Sequence, residues 1–170
     1  EAHLVGHSMG TIVCQHLAAA HPARVKSLAL LGPLAEPPEP ARNVMRGRAE
    51  TARKDGMVGI ADTLVTAATS AETKSQRPGA TAFVREILML QDAEGYARTC
   101  EALAQAQSAA LNKIKCPTLL ITGDEDGVAP PPAVHKLGQA IKGAKVVAIC
   151  TRDQRQLLAK ICAVLAVNDI

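Results

Sequence analysis

Short apolar runs alternate with longer, mixed segments along this chain. Leu4-Val5 ends one such run, and Lys26–Leu31 and residues 116–122 form two more. An apolar run of about four to eight residues between turn signals is typical of a strand buried on both faces of a parallel sheet. Ala144–Ile149 predicts a last strand. The pattern therefore predicts an α/β domain with a mostly parallel sheet.

The segment Thr11–Ala20 predicts a helix directly after the first strand. Its apolar residues Ile12, Val13, Leu17 and Ala20 lie near one face at helical spacing. The order strand, helix, strand with short connections is that of a βαβ unit.

The middle of the chain has a different character. A proline-rich stretch, Leu34–Pro40, precedes a block rich in Ala, Thr, Arg and Glu that contains no convincing strand. We predict helices at about 41–54, 57–69, 79–91 and 93–109. We therefore divide the chain into a first core part at 1–35, a helical insertion at 36–112 and a second core part at 113–170.

Two further helices are predicted within the second core part. Pro131–Ile141 is expected to be a helix between the last two strands, and Gln154–Val167 a helix at the end of the chain. The second one rests on apolar residues at helical spacing: Leu157, Leu158, Ile161, Val164 and Leu165.

Composition excludes several classes of function. The chain has 170 residues, 48% of them hydrophobic and 21% charged, with a formal net charge of +3. One Phe, one Tyr and no Trp leave no platform for stacking bases, and no basic cluster is present, so we expect no nucleic-acid partner. Neither a signal peptide nor a transmembrane run is visible, so we expect no membrane association.

The cysteines indicate a reducing environment. Their number is odd and they are scattered, at positions 14, 100, 116, 150 and 162. Neither a metal-binding C-x-x-C spacing nor a disulfide framework is present, so we expect buried thiols and a cytoplasmic protein. The histidines and acidic residues show no ligand spacing, so we expect no metal and no cofactor.

The chemically most informative stretch is Gly6–Gly10, which has the pattern G-x-S-x-G. With a strand before it and a helix after it, this pattern predicts a nucleophile elbow that lifts Ser8 above the sheet edge. We expect Gly6 and Gly10 to provide room where the backbones approach. The alternative is an ordinary strand–turn–helix with a surface serine.

A second loop follows the strand at residues 116–122. It spans Gly123–Pro130 with the pattern G-x-x-D-x-x-x-P. Together with the elbow, this loop resembles the α/β-hydrolase family, and most of all its 3-oxoadipate enol-lactonase-like branch, over residues 1 to about 149. The resemblance implies that Asp126 is the acid of a catalytic triad, with Asp124 as the second choice. The alternative is a solvated acidic turn.

The resemblance also implies that the helical insertion is a lid over the serine. Asp92–Ala97 reads Asp-Ala-Glu-Gly-Tyr-Ala, similar to a motif of the enol-lactonase branch in which proline stands at the second position. The alternative is an interhelical turn in which Tyr96 packs within the insertion. Arg85 or Arg98 could meet a substrate carboxylate, although a helix-surface arginine is the commoner state.

The chain departs from the family pattern at the general base. The family places a histidine in the loop after the last strand, but residues 150–155 read Cys-Thr-Arg-Asp-Gln-Arg, and no histidine follows His135. A serine hydroxyl requires a base within hydrogen-bond reach, so this departure weighs on activity.

The remaining histidines are weak substitutes for that base. His7 is expected to point away from Ser8, because neighbouring strand residues face opposite sides. His3 is expected to be a core or hydrogen-bonded histidine. His16 and His21 lie in the far part of the first helix or beyond it, and His135 is expected on a helix surface.

The oxyanion hole is predicted in part. The backbone N–H of Met9, the residue after the nucleophile, is one donor, and the resemblance places the other in a loop upstream of Glu1. Since an elbow strand is expected to be central in its sheet, we interpret the chain as the C-terminal portion of a longer hydrolase. We interpret the part after Ile149 as divergent from the family.

Two functional hypotheses follow. In the first, Ser8 attacks a small ester or lactone and forms an acyl-enzyme that water hydrolyses, while Asp126 orients the base. The enol-lactonase resemblance implies a small carboxylated lactone as substrate. In the second, the chain is a non-catalytic hydrolase-fold fragment or pseudoenzyme, or a small-molecule binder. The sequence predicts no oligomeric state.

Overall fold

The computed structural model describes residues 1–149. The chain forms two compact units: Glu1–Leu34 together with the chain from Ala109 onward, and Ala35–Ser108. The described strands are β1 Ala2–His7, β2 Val25–Leu31, β3 Thr118–Gly123 and β4 Lys145–Ile149. The described helices are α1 Met9–Ala20, α2 Glu39–Asp55, α3 Val58–Ala68, α4 Ala71–Gln76, α5 Pro78–Met89, α6 Ala93–Gln105 and α7 Pro131–Ala140.

The first unit is built on a parallel sheet with strand order β1-β2-β3-β4. The predicted α/β class with a mostly parallel sheet is confirmed. His7 pairs in register with Leu31, and Leu31 with Ile121, so the carboxyl ends of these strands lie side by side. The predicted helix at Gln154–Val167 lies outside the described residues.

Two helices pack closely on the sheet. A Cβ added to Gly6 on β1 would meet α1, and one added to Gly138 on α7 would lie 2.5 Å from Val146 Cγ2. Leu30 and Leu120, in the two central strands, are fully buried. The core of this unit therefore lies between the sheet and the helices α1 and α7.

The buried face of α1 is not the one that carries most of its apolar residues. Val13 and Leu17 are 59% and 40% exposed, and Ala20 is exposed as well, whereas Ile12 is buried. The remaining buried positions are Thr11, Gln15 and Ala18. The apolar stripe was a poor guide because Thr11 and Gln15 are turned inward by hydrogen bonds to backbone groups.

The second unit is helical over residues 39–105. The helices predicted at 57–69 and 79–91 are confirmed as α3 and α5, but α4 was not predicted. Ser70 is the N-cap residue of α4, and its hydroxyl accepts a hydrogen bond from the N–H of Thr73. The last helix of this unit ends at Gln105, short of the predicted residue 109.

Helices α2 and α6 pack together in the core of the second unit. The buried cluster around them also includes residues at the start of α3, and its members are Ala49, Ala52, Met57, Ile60, Ala97 and Cys100. Arg42 of α2 donates hydrogen bonds to the carbonyls of Ala104 and Ala106. That guanidinium therefore supplies donors to carbonyls at the end of α6, where the last carbonyls have no partner within the helix. None of the described helices is long and apolar enough to cross a membrane.

Candidate active site

Ser8 occupies a strained turn between β1 and α1. Its φ of 51° and ψ of −123° make it the only residue other than glycine with positive φ among residues 1–149. The Ser8 N–H donates to the carbonyl of Leu31 at 3.0 Å, and the Ser8 carbonyl accepts from the N–H of Thr11 at 2.9 Å. Strain of this kind persists only where the surroundings hold it, and here both backbone groups of Ser8 are held.

The two glycines of the motif have different roles. A Cβ at Gly6 would lie 2.7 Å from the carbonyl oxygen of Gly10 and 3.0 Å from Cys14 Sγ. A Cβ at Gly10 would meet nothing within 4 Å in the described structure. The expectation that both glycines relieve crowding is therefore wrong for Gly10, because only Gly6 faces the start of α1.

The groups around Ser8 are available for chemistry. The Ser8 hydroxyl is half-buried and makes no hydrogen bond to any residue between 1 and 149. Met9 is the first residue of α1, where backbone N–H groups have no partner within the helix. The positive end of the helix dipole lies at the same place, so the Met9 N–H can stabilise negative charge near Ser8.

Asp126 lies in the loop after β3, and its carboxylate is oriented by the backbone of that loop. Oδ1 accepts hydrogen bonds from the N–H groups of Val128 and Ala129, both at 2.8 Å. Oδ2 lies 3.5 Å from the position that a Cβ on Gly32 would occupy. Asp124, in contrast, is exposed. The loop thus directs Asp126 toward the end of β2 and leaves Asp124 in solvent.

Ser8 and Asp126 flank the end of the same strand. The Ser8 N–H donates a hydrogen bond to the carbonyl of Leu31, the last residue of β2, and the Asp126 carboxylate lies against Gly32, the next residue. Among the described residues, no hydrogen bond joins the two side chains directly.

No histidine connects them in the described structure. Neither Ser8 nor Asp126 is hydrogen-bonded to any of the five histidines, all of which are exposed. His3 is not a core residue, and its Nδ1 lies 2.7 Å from the Ser27 hydroxyl. His135 projects from α7 on the side away from the buried Val134 and Leu137. The loop at 150–155, where the family places its base, lies outside the described residues.

The motif at Asp92–Ala97 forms the start of α6. The Asp92 carboxylate accepts a hydrogen bond of 2.6 Å from the N–H of Gly95, as an N-cap residue does. Tyr96 is half-buried against the core of the second unit, and burial raises the pKa of its phenol to about 12. These contacts agree with the alternative interpretation of the motif, in which it connects two helices and Tyr96 packs within the helical insertion.

The arginines considered for substrate binding are paired with carboxylates. Arg85 binds Asp62, and Arg98 binds Glu94 at 2.8 Å. Glu94 also binds Arg53, and these two cations hold the pKa of the Glu94 carboxyl down to about 2, Arg53 more strongly than Arg98. Within the second unit, both candidate arginines therefore already serve in ion pairs.

Comparisons with known proteins agree with this arrangement. A family profile described as "alpha/beta hydrolase fold" matches residues 1–151. The chain is 32% identical over 129 residues to 3-oxoadipate enol-lactonase 2 of Acinetobacter baylyi, a match that covers 75% of this chain and 48% of that protein. It is 29% identical over 165 residues to pimeloyl-[acyl-carrier protein] methyl ester esterase of Neisseria meningitidis, covering 86% of this chain and 59% of the esterase.

A solved structure is similar as well. The crystal structure of the enol-lactonase from Burkholderia xenovorans superposes with a TM-score of 0.85 at 32% identity, covering 99% of this chain and 65% of that one. The chain thus spans about half to two thirds of the length of these relatives. The matches confirm the resemblance inferred from the elbow and the acid loop. The chain belongs to the α/β-hydrolase fold family, in which it is similar to the enol-lactonases.

Proposed function

We propose that this chain carries the nucleophile and the acid of a serine hydrolase that acts on a small ester or lactone. The observation that carries the proposal is the backbone of Ser8, which is strained at the point where β1 turns into α1. A serine in a strained turn at the carboxyl end of a strand is the arrangement that α/β-hydrolases use for acyl transfer. The named activities of the relatives, an enol-lactonase and a methyl ester esterase, support the substrate class.

The proposed chemistry uses the Ser8 hydroxyl, the Met9 N–H and the Asp126 carboxylate together with a base. Ser8 Oγ attacks the substrate carbonyl as its proton passes to a base, and the Met9 N–H stabilises the resulting oxyanion. The intermediate collapses to an acyl-enzyme as the carbon–oxygen bond breaks and the base returns the proton to the leaving oxygen. Water, activated by the same base, then releases the acid. Asp126 orients the base through Oδ2, since Oδ1 is already occupied.

A second candidate function is a hydrolase-fold protein that binds a small molecule without turnover. The absence of any hydrogen bond between the five histidines and Ser8 or Asp126 in the described structure favours it. Without a base, the oxyanion hole and binding alone leave an acceleration of about a thousand- to ten-thousand-fold over water.

Labelling with a fluorophosphonate probe separates the two. Intact-mass measurement of the wild type beside Ser8→Ala would show stoichiometric labelling of the wild type only, if the serine is activated. Asp126→Asn should slow labelling, while the matched variant Asp124→Asn should not, because Asp124 is exposed. A folded wild type that is never labelled would refute the hydrolase proposal and favour the binding protein.

A small carboxylated lactone remains the proposed substrate, on the strength of the enol-lactonase relatives. The cytoplasmic location and the lack of nucleic-acid, membrane, metal and cofactor partners stay predictions of the sequence. Within residues 1–149, no group of three or more His, Cys, Asp or Glu side chains could hold a metal ion.

A further inference from the structure

Two buried polar side chains of α1 bind the loop that follows β2. Thr11 and Gln15 are 0% and 1% exposed, although they are polar. The N–H of Leu34 donates to Thr11 Oγ1 at 3.2 Å, and Gln15 Nε2 donates to the Leu34 carbonyl at 2.8 Å. Both backbone groups of Leu34 are therefore held by the helix that begins at Ser8.

The Thr11 hydroxyl joins the loop to the nucleophile. Its proton is donated to the Ser8 carbonyl at 2.6 Å, while its oxygen accepts from Leu34. A hydroxyl has one donor and two acceptor positions, so one oxygen atom links the strained residue to the loop. Gln15 Nε2 adds a bond to the Thr11 carbonyl at 3.0 Å, which fixes the amide against the same turn.

Gln15 is a costly residue at this position. Its Oε1 is buried and accepts no hydrogen bond from the described residues. An apolar side chain of similar length would avoid an unpaired buried acceptor, which is destabilising. The two hydrogen bonds that its Nε2 donates offset this cost.

The loop held in this way begins next to both candidate catalytic residues, because Leu31 accepts a hydrogen bond from the Ser8 N–H and Gly32 lies against Asp126. It starts at Gly32, whose N–H donates to the Ile121 carbonyl and whose Cα faces the Asp126 carboxylate. We infer that Thr11 and Gln15 are positioning residues that clamp Leu34 to α1 and thereby set the separation of Ser8 and Asp126. The inference rests on the proposed function, since it assigns these residues a role in the same site.

Substitutions that keep the size of each side chain test the inference. Thr11→Val and Gln15→Met remove the hydrogen bonds, Thr11→Ser keeps the hydroxyl, and Gln139→Met is a control on the exposed surface of α7. We expect the maximal rate constant of fluorophosphonate labelling to fall about tenfold or more in the first two, because small displacements of reacting groups are costly. Probe binding, measured as the half-saturating concentration, should be unchanged, and Thr11→Ser should restore the rate.

Amide hydrogen exchange of Leu34 gives a readout that does not depend on activity. Exchange should accelerate several-fold in Thr11→Val but not in Thr11→Ser, because only the former loses the acceptor. If the wild type is never labelled, the proposed function fails, and the exchange rates still decide whether the clamp exists. An unchanged rate of Leu34 amide exchange in Thr11→Val would overturn the inference. If the wild type is labelled, unaltered labelling rates in folded Thr11→Val and Gln15→Met would also overturn it.

Discussion

Replacing Gly6 by alanine is a sharp test of the elbow geometry. The added methyl group would point at the first turn of α1, 2.7 Å from the Gly10 carbonyl oxygen and 2.9 Å from its carbon. Carbon atoms in good contact are about 3.5–4.0 Å apart, so the helix start would have to move by nearly an ångström. Since the atoms in contact belong to the backbone, no change of rotamer can relieve the clash.

The magnitude follows from two opposing effects. Overpacking of a close contact costs about 1–3 kcal/mol, and a backbone clash lies toward the upper end of that range. Alanine also restricts the unfolded chain, which offsets about 0.4–1 kcal/mol. We therefore expect Gly6→Ala to lower the free energy of unfolding by about 2 kcal/mol.

Gly10→Ala is the matched control within the same motif. Among the described residues, no atom would lie within 4 Å of a Cβ at Gly10, and the residue lies in the first turn of α1 with helical backbone. Alanine is favoured over glycine in a helix by about 0.5–1 kcal/mol. The same substitution, four residues apart, should therefore change stability in opposite directions.

Equilibrium unfolding in urea, followed by circular dichroism, measures both variants. With a slope of about 2 kcal/mol per molar urea, the midpoint of Gly6→Ala should fall by about 1 M. Adding Cys14→Ala should recover little of this loss, because the closest contacts are made with Gly10 rather than with Cys14 Sγ. A Gly6→Ala variant as stable as the wild type, or a destabilised Gly10→Ala, would refute the reasoning.

Three further predictions concern strain and charge. Ser8→Gly should raise the free energy of unfolding by about 1 kcal/mol, because glycine adopts positive φ without strain, and it should abolish labelling; a less stable variant would contradict this. Tyr96 is the only tyrosine, so ultraviolet titration of the folded protein should show one midpoint near pH 12. The free energy of unfolding should fall as pH rises from about 10, because the phenol of the unfolded chain ionises first. A midpoint near pH 10 would count against the burial of Tyr96. Arg53→Met should raise the pKa of the Glu94 carboxyl above about 2, as followed by NMR, whereas an unchanged pKa would exclude the ion pair as its cause.

Several structural features could be predicted from local sequence alone. The strands and helices from β1 to β2 follow from apolar runs and from the G-x-S-x-G pattern, because a strained turn between strand and helix depends on neighbouring residues. The same holds for α3 and α5, which glycine and proline separate from their neighbours. Local periodicity predicts that α1 is a helix but does not identify its buried face, since Thr11 and Gln15 are held inward by hydrogen bonds to Leu34, which is distant in sequence.

The contacts at the end of α6 and around Tyr96 are also made by residues distant in sequence. Arg42 of α2 donates hydrogen bonds to the carbonyls of Ala104 and Ala106, and no pattern near residue 105 predicts these bonds. The raised pKa of Tyr96 comes first from burial in the packed core between α2 and α6. Neither effect has a signature in a short window of sequence.

For the candidate site, the sequence by itself determined which residues have suitable chemistry and where the turn at Ser8 lies. The N–H groups of Val128 and Ala129 orient the Asp126 carboxylate within its own loop, but only the tertiary structure placed that carboxylate against Gly32 at the end of β2. The pairing of β1, β2 and β3 then brought Ser8 and Asp126 to the same sheet edge, although they are far apart in the chain. Strand pairing joins residues across long loops, so such proximity cannot be read from the residues on either side.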